Sequence, residues 1–182
     1  ELLARILKNF EVIPSNVIET VQSDISPIDL AMGNALRKAK DIAGPYPDAI
    51  VIAADTVVVL DNAILGKPKD PHDAVKILEA LSGKTHQVVT GVAVVCCGRE
   101  TTDFDFSDVT FRKLTEGQIE AYVREKMPLD KAGAYGIQEI GDGFVESVEG
   151  SYENVMGLPL GVAYRLLDEM LYMEWGNRLH EL

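Results

Sequence analysis

Asp55 is the first residue whose surroundings suggest chemistry. It follows the apolar run 49–54, in Ala53-Ala54-Asp55-Thr56. Such a run predicts a strand covered on both faces. A carboxylate directly after it is expected at the strand's carboxyl end, where ligand crevices of open α/β sheets lie. There it can hold a divalent cation or accept a proton from water. It can equally cap a turn by accepting from backbone amides, and spacing alone leaves the two readings even. Gly66-Lys67-Pro68 comes next. If the strands between form a hairpin, Lys67 returns close to Asp55, and an ammonium fixed between Gly and Pro can meet a phosphate. A lone lysine is more often a solvated surface residue.

The third candidate is Asp130-Lys131-Ala132-Gly133-Ala134-Tyr135-Gly136-Ile137-Gln138. Its glycines let backbone approach a ligand or another strand. Gln138 offers a donor and an acceptor together, which fits the edge of a base. The alternative is a bulged strand corner with a satisfied Gln. The run lacks the order of a Walker loop. Other residues carry less. His72, His86 and His180 have no partner at metal-ligand spacing. There is no Gly-x-Ser-x-Gly elbow. Glu19 and Lys38 stand in no pattern of their own, although Lys38 falls on the opposite side of its helix from Ile28 and Met32.

The elements that must position these residues follow from periodicity and punctuation. Residues 1–7 read as the end of a helix and 10–13 as a short strand. Ser26-Pro27 starts a helix, with Ser as cap and Pro at its first position. Ile28, Ala31, Met32, Ala35, Ala39 and Ile42 keep helical spacing until Gly44-Pro45. The strand 49–54 continues extended over 57–60, turns at Asp61-Asn62 and returns over 64–67. Asp70-Pro71 opens a helix that Ser82-Gly83 closes. Two β-rich runs follow, 86–95 and 102–111. Thr115 and Gln118 form a capping-box pattern for the next helix. A glycine-rich stretch spans 133–143, a strand 144–148, and Pro159 begins a last helix with a frayed or packing-dependent tail from about Glu174. Helices alternate with strands and at least two strand pairs look like hairpins, so we expect an α/β fold with a mixed sheet.

Composition bounds the function. The chain has 182 residues, 47% apolar and 25% charged, which suits one folded domain and not disorder. With 29 acidic and 17 basic residues its formal charge is −12. That argues against a nucleic-acid polymer as partner, though not against a small anion held by local cations or a metal. No apolar stretch approaches the length of a membrane span, and we expect no signal peptide. Cys96 and Cys97, the only cysteines, are adjacent and read as reduced thiols of a cytosolic protein.

In order and spacing these segments resemble the Maf family of nucleoside triphosphate pyrophosphatases over nearly the whole chain. The resemblance runs through Glu1-Leu2-Leu3, Ala54-Asp55-Thr56-Val57-Val58 and Ile64-Leu65-Gly66-Lys67-Pro68. It continues in Leu81-Ser82-Gly83, His86, Val89-Thr90-Gly91-Val92, residues 130–138, Asn154-Val155 and Gly157-Leu158-Pro159. It implies a single Maf-like domain over 1–182, with a curved mixed sheet flanked by helices and two lobes about a cleft. The family is often dimeric. The implied reaction is metal-dependent hydrolysis of a nucleoside triphosphate to the monophosphate and pyrophosphate, usually with magnesium. The Ala-Gly-Ala-Tyr-Gly-Ile-Gln form of the late motif resembles the branch acting on dTTP and UTP. By position, Asp55 matches the proton acceptor, Thr56 and Gln138 the specificity positions, and Lys38 and Lys67 the phosphate-binding lysines. Glu19 matches the acidic residue that supports the metal beside Asp55. The family's opening strand and Ser-x-Ser-Pro-Arg-Arg loop, directly before Glu-Leu-Leu, do not occur here, and we expect residues to precede Glu1. Two other functions stay open: a non-catalytic nucleotide-binding regulator of cell division, and the same chemistry on 7-methyl-GTP.

Overall fold

The computed structural model describes residues 1–18 and 25–180. A single 3-10 turn, Leu3–Arg5, opens the chain, and α1 spans Pro27–Ala43. Ser26 caps α1 by accepting from the Asp29 amide, with Pro27 at its first position, as the sequence requires. Strands β1 (Val51–Leu60) and β2 (Ala63–Leu65) form a hairpin closed by Asp61 and Asn62, both at positive φ. Helix α2 (Pro71–Leu81), capped by Asp70, leads into β3 (Thr85–Cys96) and β4 (Arg99–Phe111). The remainder is α3 (Glu116–Lys126), a 3-10 turn Ala132–Ala134, α4 (Ile137–Phe144), β5 (Val145–Glu149), α5 (Tyr152–Val155) and α6 (Leu160–His180). Both halves of the Thr115–Gln118 capping box form at α3.

The expected α/β layering is present, but the sheet is not mixed. Its order is β2-β1-β3-β4-β5 and all four described pairings are antiparallel. The reason is β2. It reverses the chain before α2 begins, so β3 re-enters the sheet against β1 instead of along it. The long β3 is buried almost throughout because both sheet faces are covered. Its odd-numbered residues Val89, Ala93 and Val95 pack on α1, while Val92, Val94 and Cys96 pack on α6. A larger core on the α6 side gathers Val58, Leu78, Leu81, Val88, Phe111 and Ile140 from β1, α2, β3, β4 and α4.

Three further readings need correction. Residues 10–13 form no strand, since no described strand lies beside them to complete a ladder; Val12 is exposed. The glycine-rich stretch is largely helix, because Ile137, Ile140 and Phe144 recur at helical spacing and are buried. The backbone of α6 stays helical beyond Glu174, as far as His180.

Candidate active site

Asp55 is the fifth residue of the ten-residue β1, not its carboxyl end, because both Asp55 and Thr56 pair with β3, opposite Gly91 and Thr90. It lies on the α1 face and is buried. Its Oδ1 accepts from the Lys38 ammonium at 2.5 Å, and its Oδ2 from the Asn34 carboxamide at 2.9 Å. Arg37 in turn donates to Asn34 Oδ1. Asn34, Arg37 and Lys38 are three and four residues apart on α1, so one helix face presents all of them to the carboxylate. The small residues Ala31, Ala35 and Ala39 behind them have no exposed surface and let α1 lie close on the sheet.

Thr56 points to the opposite face, as the alternation of a strand requires. Thr90 spends its single hydroxyl proton on the Asn154 carbonyl, at 2.9 Å, so it accepts from Thr56, also at 2.9 Å. Asn154 is fully buried and donates to Val88 O and Ser107 Oγ, both at 3.0 Å. This network fixes α5 on the sheet and with it the chain that follows. There Gly157, at φ +99°, comes close enough that a Cβ on it would stand 3.4 Å from Thr56 Oγ1.

A cleft of about 890 Å³ joins the two faces. It runs along β1 on the side where only Val58–Leu60 pair with β2. Lys38 and Ile42 line it from α1; Gln138, Met156 and Gly157 line it from the other face. Gln138 is exposed near the start of α4 and also borders a smaller cavity of about 490 Å³ with Arg5, Glu139 and Tyr152. The structure thus brings Lys38 onto Asp55 and places Gln138 on the same cleft as Lys38. Lys67 lies just past β2 and lines neither cavity, although Gly66 O beside it accepts from the Gly133 amide at 3.2 Å. Glu19 lies outside the described residues.

Among the described residues no group of three or more His, Cys, Asp or Glu could cage a metal ion. Among the described residues Asp55 is the carboxylate bonded to Lys38, while Glu1 and Glu11 line the cleft. That fits magnesium carried with a nucleotide, which takes one or two protein carboxylates together with phosphate oxygens and water.

Asn34 and Arg37 were not singled out by sequence, and Thr90 and Asn154 stood only within segments of the resemblance, without a role. A signal existed for the first: Asn34 is four residues before Lys38, on the same helix face, and a buried Asn must be bonded to something. Thr90 and Asn154 join through a contact between distant segments that no local pattern encodes.

Behind the segment carrying Gln138 lies a second polar group in the core. His86 is buried, and its Nε2 shares a 2.7 Å hydrogen bond with the Tyr135 hydroxyl. Its Nδ1 finds no partner among the described residues. Burial lowers the imidazole's pKa from 6.5 to about 4. The unfolded chain therefore binds the proton more readily between these values. Stability is retained above pH 6.5 and falls by up to about 3 kcal/mol as pH drops from 6.5 to 4. In urea titrations across this range, the stability gap between wild type and His86→Gln should narrow by that amount. A constant gap would show that His86 titrates alike in both states.

The family model described as "Maf-like protein" matches residues 1–170. A "dTTP/UTP pyrophosphatase" of Bacillus cytotoxicus is 45% identical over 176 residues, which covers 97% of this chain and 91% of the relative. Proteins of the same name from Bacillus cereus (strain AH187) and Bacillus anthracis are 45% and 46% identical. They cover 93% and 88% of this chain, and 88% and 84% of the relatives. Among the described residues no helix is long and apolar enough to cross a membrane.

Proposed function

Because the chain belongs to the Maf-like family, we propose that it is a metal-dependent nucleoside triphosphate pyrophosphatase acting on dTTP and UTP. The observation that carries this reading is the buried Asp55 bonded to Lys38, with Lys38 and Gln138 on one cleft. The names of relatives at 45% identity support the substrate.

The triphosphate lies against Lys38, whose ammonium exchanges part of its bond to Asp55 for phosphate oxygens. Such local cations are needed because the chain as a whole carries −12. Asp55 orients a water molecule toward the α-phosphorus and accepts its proton as the new P–O bond forms. The bond to the β-phosphate oxygen breaks and pyrophosphate leaves. Asn34 holds the second carboxylate oxygen, so Asp55 cannot rotate freely. Asp55, with Glu19, would hold magnesium, which when bound supplies positive charge to the phosphate oxygens. Lys67 is assigned to the same phosphates. Gln138 reads the imide edge of uracil or thymine: its oxygen accepts from N3–H and its amide donates to a ring carbonyl. Thr56, fixed by Thr90, borders the base through Gly157. In that orientation the Gln138 oxygen would meet cytosine's N3 lone pair instead of an N–H, so the pyrimidine preference requires that the carboxamide does not turn over.

The same reading includes a cytosolic location and a homodimer. Exposed Tyr164, Leu171, Tyr172 and Met173 on α6 support the second, and light scattering that returns the mass of one chain would count against it.

Pyrophosphate release should be measured with dTTP, UTP, CTP, GTP and 7-methyl-GTP, with magnesium and with chelator. We expect release confined to dTTP and UTP and abolished by chelator. Gln138→Ala should lower kcat/KM for UTP about 30-fold while leaving CTP nearly unchanged, which corresponds to two lost hydrogen bonds. Release from 7-methyl-GTP alone would overturn the pyrimidine assignment. No release from any substrate would overturn the enzymatic reading in favour of nucleotide binding alone.

A further inference from the structure

Gln138 reaches the cleft from a helix start, and its carboxamide is bonded to none of the described residues. Its position therefore comes from the backbone that carries it. That backbone is tied to the core by aromatic side chains and by a main-chain bond. The Gly136 amide donates to the Tyr122 hydroxyl at 3.2 Å, and Phe144 O accepts from the Arg112 amide at 2.8 Å. Tyr135, three residues before Gln138, reaches across to His86 of β3. The rings of His86, Phe111 and Tyr135 meet edge to face, at centroid distances of 4.9 to 5.4 Å. Burial pushes the Tyr122 phenol up to about 12 and that of Tyr135 further in the same direction, so both keep their hydroxyl proton.

Packing alone does not account for the polar pair. A buried imidazole with an unpartnered nitrogen carries a desolvation cost. Two apolar rings of similar shape would fill the same space at equal or better stability. What the pair adds is direction: one hydrogen bond selects one placement of Tyr135, where apolar rings could slide.

We propose that His86 and Tyr135 are positioning residues for nucleotide recognition, their hydrogen bond fixing the 133–138 segment so that Gln138 meets the base. The link to recognition rests on the role given to Gln138 above. The clamp itself rests only on geometry.

The test uses Tyr135→Phe, which removes the hydroxyl and keeps the ring, His86→Gln, and the pair His86→Phe with Tyr135→Phe. For Tyr135→Phe, KM for UTP should rise about tenfold, the loss of one well-placed hydrogen bond. The preference for UTP over CTP should shrink, with kcat nearly constant. Amide exchange at 137–140 should speed up by a similar factor. In a Gln138→Ala background, Tyr135→Phe should raise KM no further, because the two act through one contact. His86→Gln, which keeps a polar partner for Tyr135, should retain part of the preference that Tyr135→Phe loses. The double apolar variant should melt no lower than Tyr135→Phe yet still lack the preference, which separates recognition from stability. Unchanged preference and exchange in Tyr135→Phe, or an additive effect in the Gln138→Ala background, would overturn the proposal. A wild-type protein that turns over no nucleotide would overturn the pyrophosphatase reading instead. The exchange measurement would then still decide whether the clamp exists.

Discussion

Turnover of UTP by an Asp55→Asn variant is expected to fall about 10³-fold, the range that loss of a positioned general base produces. Binding of a UTP analogue with a non-hydrolysable α,β bridge should remain measurable. The substitution keeps the shape of the side chain and removes its ability to take a proton. It also disturbs the surroundings. The carboxylate satisfies Lys38 through one oxygen and Asn34 through the other. Asparagine has a single oxygen, so one of the two donors loses its acceptor, at a cost of about 1–3 kcal/mol where that donor is buried. The variant should therefore melt at a lower temperature. This makes the binding measurement necessary: a folded variant that binds the analogue and releases no pyrophosphate isolates the chemical step. Turnover within threefold of wild type would remove Asp55 from the reaction and leave it a structural partner of α1.

The local rules read well wherever a single segment decides its own structure. Ser26-Pro27, Asp70-Pro71 and the Thr115–Gln118 box all cap helices as expected, because caps are chemistry between neighbours. Asp55 and Gln138 stand out from their own surroundings and Lys38 through the resemblance, and the structure brings Lys38 onto Asp55 and lines one cleft with Lys38 and Gln138. What stayed hidden depends on pairings between distant segments. The turn back at Asp61-Asn62 was legible, but that β3 would then enter beside β1, antiparallel to it, was not. Helix α4 was obscured because Gly136, Gly141 and Gly143 suggest a loop, while the burial of Ile137, Ile140 and Phe144 is a tertiary fact. Thr90, Asn154 and His86 serve the site through contacts spanning 49 to 66 residues of sequence.

A methyl group at Gly91 should harm the protein more than at any other glycine of β3 or α1. Gly91 lies opposite Asp55 in the β1–β3 ladder, beneath α1. A Cβ there would stand 2.4 Å from Met32 N, 2.5 Å from Ala31 C and 2.7 Å from Ala31 O. These are helix backbone atoms, which no rotamer change can move aside. Helix α1 would have to draw back by about 1 Å to restore ordinary contact. Overpacking of this kind costs about 3 kcal/mol, which for a chain of this length lowers Tm by about 10 °C. The displacement reaches the site directly, since Asn34 and Lys38 ride on the same helix and hold Asp55 at hydrogen-bond distance. A misplacement of that size lowers turnover about 10²-fold. Gly91→Ala should therefore lose stability and turnover together, even though Gly91 carries no chemistry. Gly33→Ala supplies the contrast. It lies on the exposed side of α1 with nothing within 4 Å of an added Cβ. Alanine there should raise stability by about 1 kcal/mol through helix propensity and leave turnover alone. Calorimetry and pyrophosphate release on the two variants decide the matter. An unchanged melting temperature for Gly91→Ala would mean that α1 does not rest on β3 as closely as the site requires.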